Sequence, residues 1–162
     1  MLSDAEYQEL KRFLTVYAQR YLRVTGLPAE LQPHACLEVL EREDRALATR
    51  GLRQALNDIV AMCRHLSPRE VAKIDSELRS LYVLTLSEVR RRVSKQYAGV
   101  VARGKINNET EYYLIRGILD DAASEADQSE RKTLTEMVAA FELGAVSREK
   151  RRRGKGSAPR LK

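Results

Sequence analysis

The sequence predicts an all-α protein: an irregular bundle of roughly five to seven helices, followed by a disordered basic C-terminal tail. Three observations predict it. Apolar residues recur at helical spacing along nearly the whole chain. Glycine and proline number only 8 and 4 in 162 residues, and most fall between apolar stripes or in the tail. Charge is unevenly placed: residues 148–162 hold eight Lys/Arg and one acid, Glu149, whereas residues 1–147 hold 21 Lys/Arg against 22 Asp/Glu. The pI near 9.5 therefore belongs to a tail and not to a folded surface. The expected division is a helical domain over residues 1–146 and a basic flexible tail over 147–162.

The first helix is expected from about Asp4 to Thr25. Leu10, Phe13, Leu14, Tyr17, Tyr21 and Val24 share one of its faces, Ser3 or Asp4 caps it, and Gly26 stops it. Pro28 and Pro33 bracket a connector to a short helix over His34–Glu43, with Leu37 and Leu40 inward. Leu52, Leu56, Ile59, Cys63 and Leu66 mark the next helix, about Asp44 to His65. Ser67-Pro68-Arg69-Glu70 is a strong helix start: Ser67 and Glu70 can cap each other, and proline suits a first turn whose N–H has no partner.

From there Val71, Ile74, Leu78, Tyr82, Thr85, Val89, Val93, Tyr97 and Val100 hold one helical phase. The spacing predicts a long helix to Gly104, kinked near Thr85–Ser87, over a lone strand at residues 81–86. Asn108 to Glu111 resembles a second capping box, before a helix with Tyr112, Ile115, Leu119 and Ala122 inward. Asp127 and Glu130 repeat the pattern before a last helix with Leu134, Met137, Val138 and Phe141, which Gly144 is expected to stop. No repeat of fixed period is visible, so a solenoid has no support.

Composition narrows the function. No window approaches the ~18 apolar residues of a membrane span. Asp4, Glu6 and Glu9 stand where a secretion signal would be basic and then apolar, and two cysteines are too few for a disulfide framework. The expectation is a cytoplasmic protein without cofactor. No glycine-rich phosphate loop and no recognisable nucleophile arrangement is present. His34, Cys36, Cys63 and His65 are all the Cys and His of the chain. Residues two apart on a helix point about 200° away from each other, so neither pair converges on a metal unless its backbone leaves the helix. The expectation is two small buried cysteines and two surface or cap histidines.

Binding is the better-supported class. Lys150, Arg151, Arg152, Arg153 and Lys155 place five positive charges in six residues, a pattern that neutralises phosphates without selecting a sequence. A second basic run, residues 89–108, has six Lys/Arg and no acid. On a continuous helix Arg91, Arg92, Lys95 and Arg103 fall opposite the apolar stripe, giving a nucleic-acid-binding face of which Arg91, Lys95 and Arg103 are the candidates. The alternative is that these charges are neutralised by residues 109–142, which hold nine acids against three bases. A helix-turn-helix over Ser67–Gln96 would place Ser87, Arg90, Arg91 and Gln96 toward a groove, but lacks a glycine-centred turn. A protein partner or a second copy of the chain is the rival to nucleic acid. Its contact would be Glu109, Glu111 and Tyr112, because adjacent Tyr112 and Tyr113 cannot both face one core.

Overall fold

The computed structural model describes residues 2–22 and 26–155, with side chains as far as Val146. Among these residues there are eight α-helices, two short 3-10 turns and no strand, so the fold is all-α but has more helices than the expected five to seven. They are α1 (Asp4–Tyr21), α2 (Pro33–Glu43), α3 (Arg45–Met62), α4 (Pro68–Ser80), α5 (Leu86–Val93), α6 (Lys95–Arg103), α7 (Glu109–Asp120) and α8 (Gln128–Lys155).

Local chemistry sets most boundaries where the sequence places them. Ser3 accepts a bond from the Glu6 N–H, and Glu6 accepts one from the Ser3 N–H, opening α1. That helix ends at Tyr21 with Leu22 as its cap, and Val24 and Thr25 lie outside the described residues. Asp44 closes α2 and caps α3 by accepting from the Ala46 and Leu47 N–H groups. The Ser67–Glu70 box opens α4 as expected.

The long helix expected after Pro68 is instead three. After Ser80 the chain turns through Tyr82, whose φ of 55° is the left-handed conformation that a side chain disfavours. Thr85 then caps α5 through the Glu88 N–H, and Ser94 caps α6 through the Tyr97 N–H. Each cap offers the backbone a partner outside the helix, which is how Ser and Thr interrupt a phase that apolar spacing alone would continue. Tyr82, placed by that phase on the apolar stripe, is 87% exposed. Gly104, at φ 65°, ends α6 as a left-handed cap.

Two apolar clusters result. The first joins Tyr7, Leu10, Phe13, Leu14 and Tyr17 of α1 to Leu37 of α2, Leu52, Leu56 and Ile59 of α3, Leu78 of α4, and Leu86 and Val89 of α5. The second joins Tyr97 and Val100 of α6 to Leu114, Ile115 and Ile118 of α7 and Leu134, Met137 and Val138 of α8. Burying one such large side chain stabilises by about 1.5–3 kcal/mol, and truncating Phe13 (fully buried) to alanine would cost about 3–5 kcal/mol. The short helix α5 lies between the clusters and touches α3, α4, α6 and α7. Its first five residues, Leu86 to Arg90, are all buried, including the charged Glu88 and Arg90.

Candidate functional site

The basic run of residues 89–108 lies on two separate helices, so its cations do not share one exposed face. Arg91 reaches Glu88 at 2.8 Å and Glu130 at 2.9 Å. Arg92 reaches Glu88 at 2.8 Å, Glu9 at 2.9 Å and Glu125 at 2.7 Å. Arg103 bonds Glu111 at 2.6 Å. Glu88 is the hub: its side chain is 1% exposed and also accepts from the Glu125 N–H. Burial alone would raise its pKa, but the hydrogen bonds from Arg91 and Arg92 outweigh that and hold the carboxyl below its ordinary value. Tyr97 donates to Glu130 and ties the second apolar cluster into the same network. The neutralisation that the acidic stretch allowed is thus the arrangement found for Arg91, Arg92 and Arg103. Lys95 is exposed and pairs with no described residue.

The burial of Leu86 to Arg90 also removes α5 as a recognition helix for Ser67–Gln96, since Ser87 and Arg90 face inward. Ser87 donates from both its N–H and its hydroxyl to Asp75.

The expected stop at Gly144 is absent, and the α8 backbone stays helical to Lys155. One interior glycine costs only about 1 kcal/mol against alanine, and Leu, Glu, Ala, Val and Arg around it are adequate helix formers. The backbone of Lys150, Arg151, Arg152, Arg153 and Lys155 belongs to α8. Their side chains, and residues 156–162, lie outside what is described.

At the start of α7, Asn108 caps through the Glu111 N–H. Glu111 reaches back to the Asn107 N–H, one residue earlier than a capping box requires, and binds Arg103. Glu111 is thereby buried, and Tyr112 is occupied as well, donating to Glu142 and stacking on Phe141 with ring centroids 5.3 Å apart. The exposed member of the tyrosine pair is Tyr113, at 48%, near the exposed Glu109.

Cys63 is buried against the Tyr17 hydroxyl, but Cys36 is exposed, contrary to expectation, because it faces outward at the start of α2. Among the described residues no group of three or more His, Cys, Asp or Glu could hold a metal ion.

No pattern in the sequence points to a cleft, yet one of about 840 Å³ opens between α3 and α4 on one side and the first turn of α6 and the length of α7 on the other. Its lining includes three buried charged residues, Asp75, Arg90 and Asp121. Asp121 accepts from Arg79 at 2.8 Å, from the Thr85 hydroxyl and from the Ala123 N–H. Burial pushes the Asp75 carboxyl above its ordinary pKa, and the bonds from Ser87 oppose it. Arg90 donates to the Cys63 carbonyl at 2.5 Å. A signal for Asp75 was available: it follows Val71 by four residues and precedes Leu78 by three, so it is an acid at a core-facing position of α4. Asp121, at the end of α7, is a buried cap residue rather than a surface charge.

Compared with known proteins, the chain matches no family model, no curated protein and no solved structure. No helix among the described residues is long and apolar enough to cross a membrane.

Proposed function

We propose that this chain is a non-catalytic helical binding protein that holds nucleic acid, or a comparable polyanion, through the basic residues 148–162. The carrying observation is the placement of charge: eight Lys/Arg and one acid in that segment, on a body of 21 Lys/Arg and 22 acids. The ion pairs of the body support the same division. Arg91, Arg92 and Arg103 are spent on Glu88, Glu130, Glu9, Glu125 and Glu111, so they contact phosphate only if those pairs open. Lys95, exposed and unpaired among the described residues, joins the arm without that cost. Each phosphate neutralised releases condensed counterions, which gives affinity and a steep salt dependence but no choice of sequence.

The test is fluorescence anisotropy with a labelled single-stranded and a duplex oligonucleotide at two salt concentrations. Deleting residues 148–162 is expected to lower affinity roughly tenfold or more at about 50 mM salt and to flatten the salt slope. Equal binding by both forms, or binding by neither, removes the proposal.

A second reading has its own observation. Tyr113 and Glu109 are exposed beside the cleft, and an exposed tyrosine near an acid suits a protein partner or a second copy. It moves the contact from Glu111 and Tyr112, which are occupied within the chain, to Glu109 and Tyr113. Tyr113→Ala should then abolish capture of a partner that survives nuclease treatment and deletion of the arm.

A further inference from the structure

We propose that the cleft bordered by α3, α4, the first turn of α6 and the length of α7 is a binding site for a small organic phosphate, with Arg90 as its buried anchor. The argument starts from what a buried guanidinium requires. Arg90 is 8% exposed, and a charge so far from water needs an ion partner or a full set of hydrogen bonds. No carboxylate lies within ion-pair distance of it, although the charge of Asp75 acts on it, and only part of its hydrogen-bonding capacity is met inside the chain. One of its nitrogens donates to the Cys63 carbonyl, it forms no ion pair, and the rest of its planar fork is unclaimed. No buried side-chain nitrogen or oxygen among the described residues lacks a hydrogen-bond partner, so the unclaimed nitrogens must keep contact with solvent. Of the two described cavities, Arg90 lines only this one.

The other charged side chains of the lining balance, Arg64, Arg79, Lys95 and Arg116 against Asp75, Glu109, Asp120 and Asp121, so with Arg90 the lining carries one net positive charge. Asp75 is held by Ser87, Asp121 by Arg79 and Thr85, and Asp120 by Arg116 at 3.5 Å. The cations Arg64 and Lys95 have no partner among the described residues. Only Glu109 is left as an acid without one, and it can accept from a ligand hydroxyl or amine. The first turn of α6 lines the cleft through Lys95 and Gln96, whereas α4 and α7 border it along most of their length, so helix ends of both polarities meet there. Donors arriving from several elements suit a tetrahedral dianion better than a planar carboxylate, which one guanidinium fork satisfies. The volume, about 840 Å³, exceeds what a free ion fills and lies in the range of small-molecule sites, so the phosphate is expected to carry an organic group.

Apart from Lys95 this site shares no residue with the proposed polyanion contact, and its test uses the full chain with AMP, inorganic phosphate and citrate as probes. Calorimetry and amide shift mapping should show saturable binding of AMP, with Ser94, Gln96 and Asn57 among the shifted amides and inorganic phosphate competing. Arg64→Ala is exposed and unpaired, so it should fold normally and weaken AMP roughly fivefold or more. Arg90→Lys keeps the charge and loses the fork, and should weaken it further. Equal AMP binding in the wild-type chain and Arg64→Ala overturns the site, because the basic arm would then be the ligand's location. No saturation by AMP or phosphate up to about 10 mM overturns it too. Citrate binding at these residues while AMP does not bind overturns the phosphate assignment. Oligonucleotide affinity of Arg64→Ala is expected to equal that of the wild-type chain, so failure here leaves the arm's role standing or falling on its own deletion.

Discussion

Residues 89–108 and residues 148–162 are both runs of Lys and Arg with little or no acid between them, yet the protein treats them differently. In the first, Arg91, Arg92 and Arg103 cross from one helix to the next and end on Glu88, Glu130, Glu9, Glu125 and Glu111. In the second, the single acid is Glu149, against eight cations. A charge run in a sequence says nothing about surface potential until its partners are known, and in a folded bundle those partners come from distant segments. Glu9 lies 83 residues from the arginine it holds. The arm has no comparable local supply of acid. The same composition thus serves cohesion in one place and, as proposed, contact with a polyanion in the other.

The sharpest way to break this comparison is to remove the hub. Glu88→Gln keeps the shape but leaves Arg91 and Arg92 short of a buried counter-charge. Losing one partner of a buried ion pair costs about 3–5 kcal/mol, and the loss should appear as a lower urea midpoint at neutral pH. Oligonucleotide affinity should stay the same or rise, because two arginines are released. A loss under about 1 kcal/mol would mean that Glu130, Glu9 and Glu125 carry the arginines without it. The same residue sets an acid limb. Glu88 is held below its ordinary 4.5, so its contribution is complete above that value and is lost as pH falls through the lowered one. Asp75, raised above 3.8 by burial, acts in the opposite sense: its contribution is complete below that value and declines as pH rises through the raised one. Urea midpoints between about pH 3 and pH 7 should therefore show a shallower acid limb in Glu88→Gln, where the lowered Glu6, Glu41 and Glu70 still contribute, and an undiminished one in Asp75→Asn.

Much of this fold was legible in the sequence because it rests on local chemistry. The Ser3 cap, the Ser67 box, the Asn108 cap and the Gly104 stop are all decided within a few residues. The break of Pro68–Arg103 into three helices was harder to see, because the apolar spacing runs through it unbroken. The signal lay in Thr85 with Glu88 three residues on, and in Ser94, both of which are cap residues inside an apparently continuous phase. That break is what defeats the helical-wheel argument for a basic face: two short helices do not keep the angular register of one. The candidate cleft was not legible at all, since Arg90, Asp75 and Asp121 converge only once α4, α5 and α7 have packed.

A medium-sized test addresses that break directly. Ser94→Ala removes the hydroxyl that accepts from the Tyr97 N–H, at a position 6% exposed where water cannot readily replace it. The expected cost is about 1 kcal/mol in a urea titration. No cost would mean that α5 and α6 are held apart by packing alone.

The smallest expected effect concerns the turn that starts the break. Tyr82 sits at φ 55° with its side chain 87% exposed, so it bears the steric penalty of the left-handed region with little burial in return. Tyr82→Gly removes that penalty, about 1–2 kcal/mol, and gives part of it back through the freer unfolded chain. The net expectation is a gain of about 0.5–1 kcal/mol in the urea midpoint, with oligonucleotide binding unchanged. If Tyr82→Gly instead destabilises, the phenol ring is contributing contacts that its exposure conceals. The boundary between α4 and α5 would then be set by that side chain rather than by the caps, and the inward course of Arg91 and Arg92 would depend on an aromatic residue outside both apolar clusters.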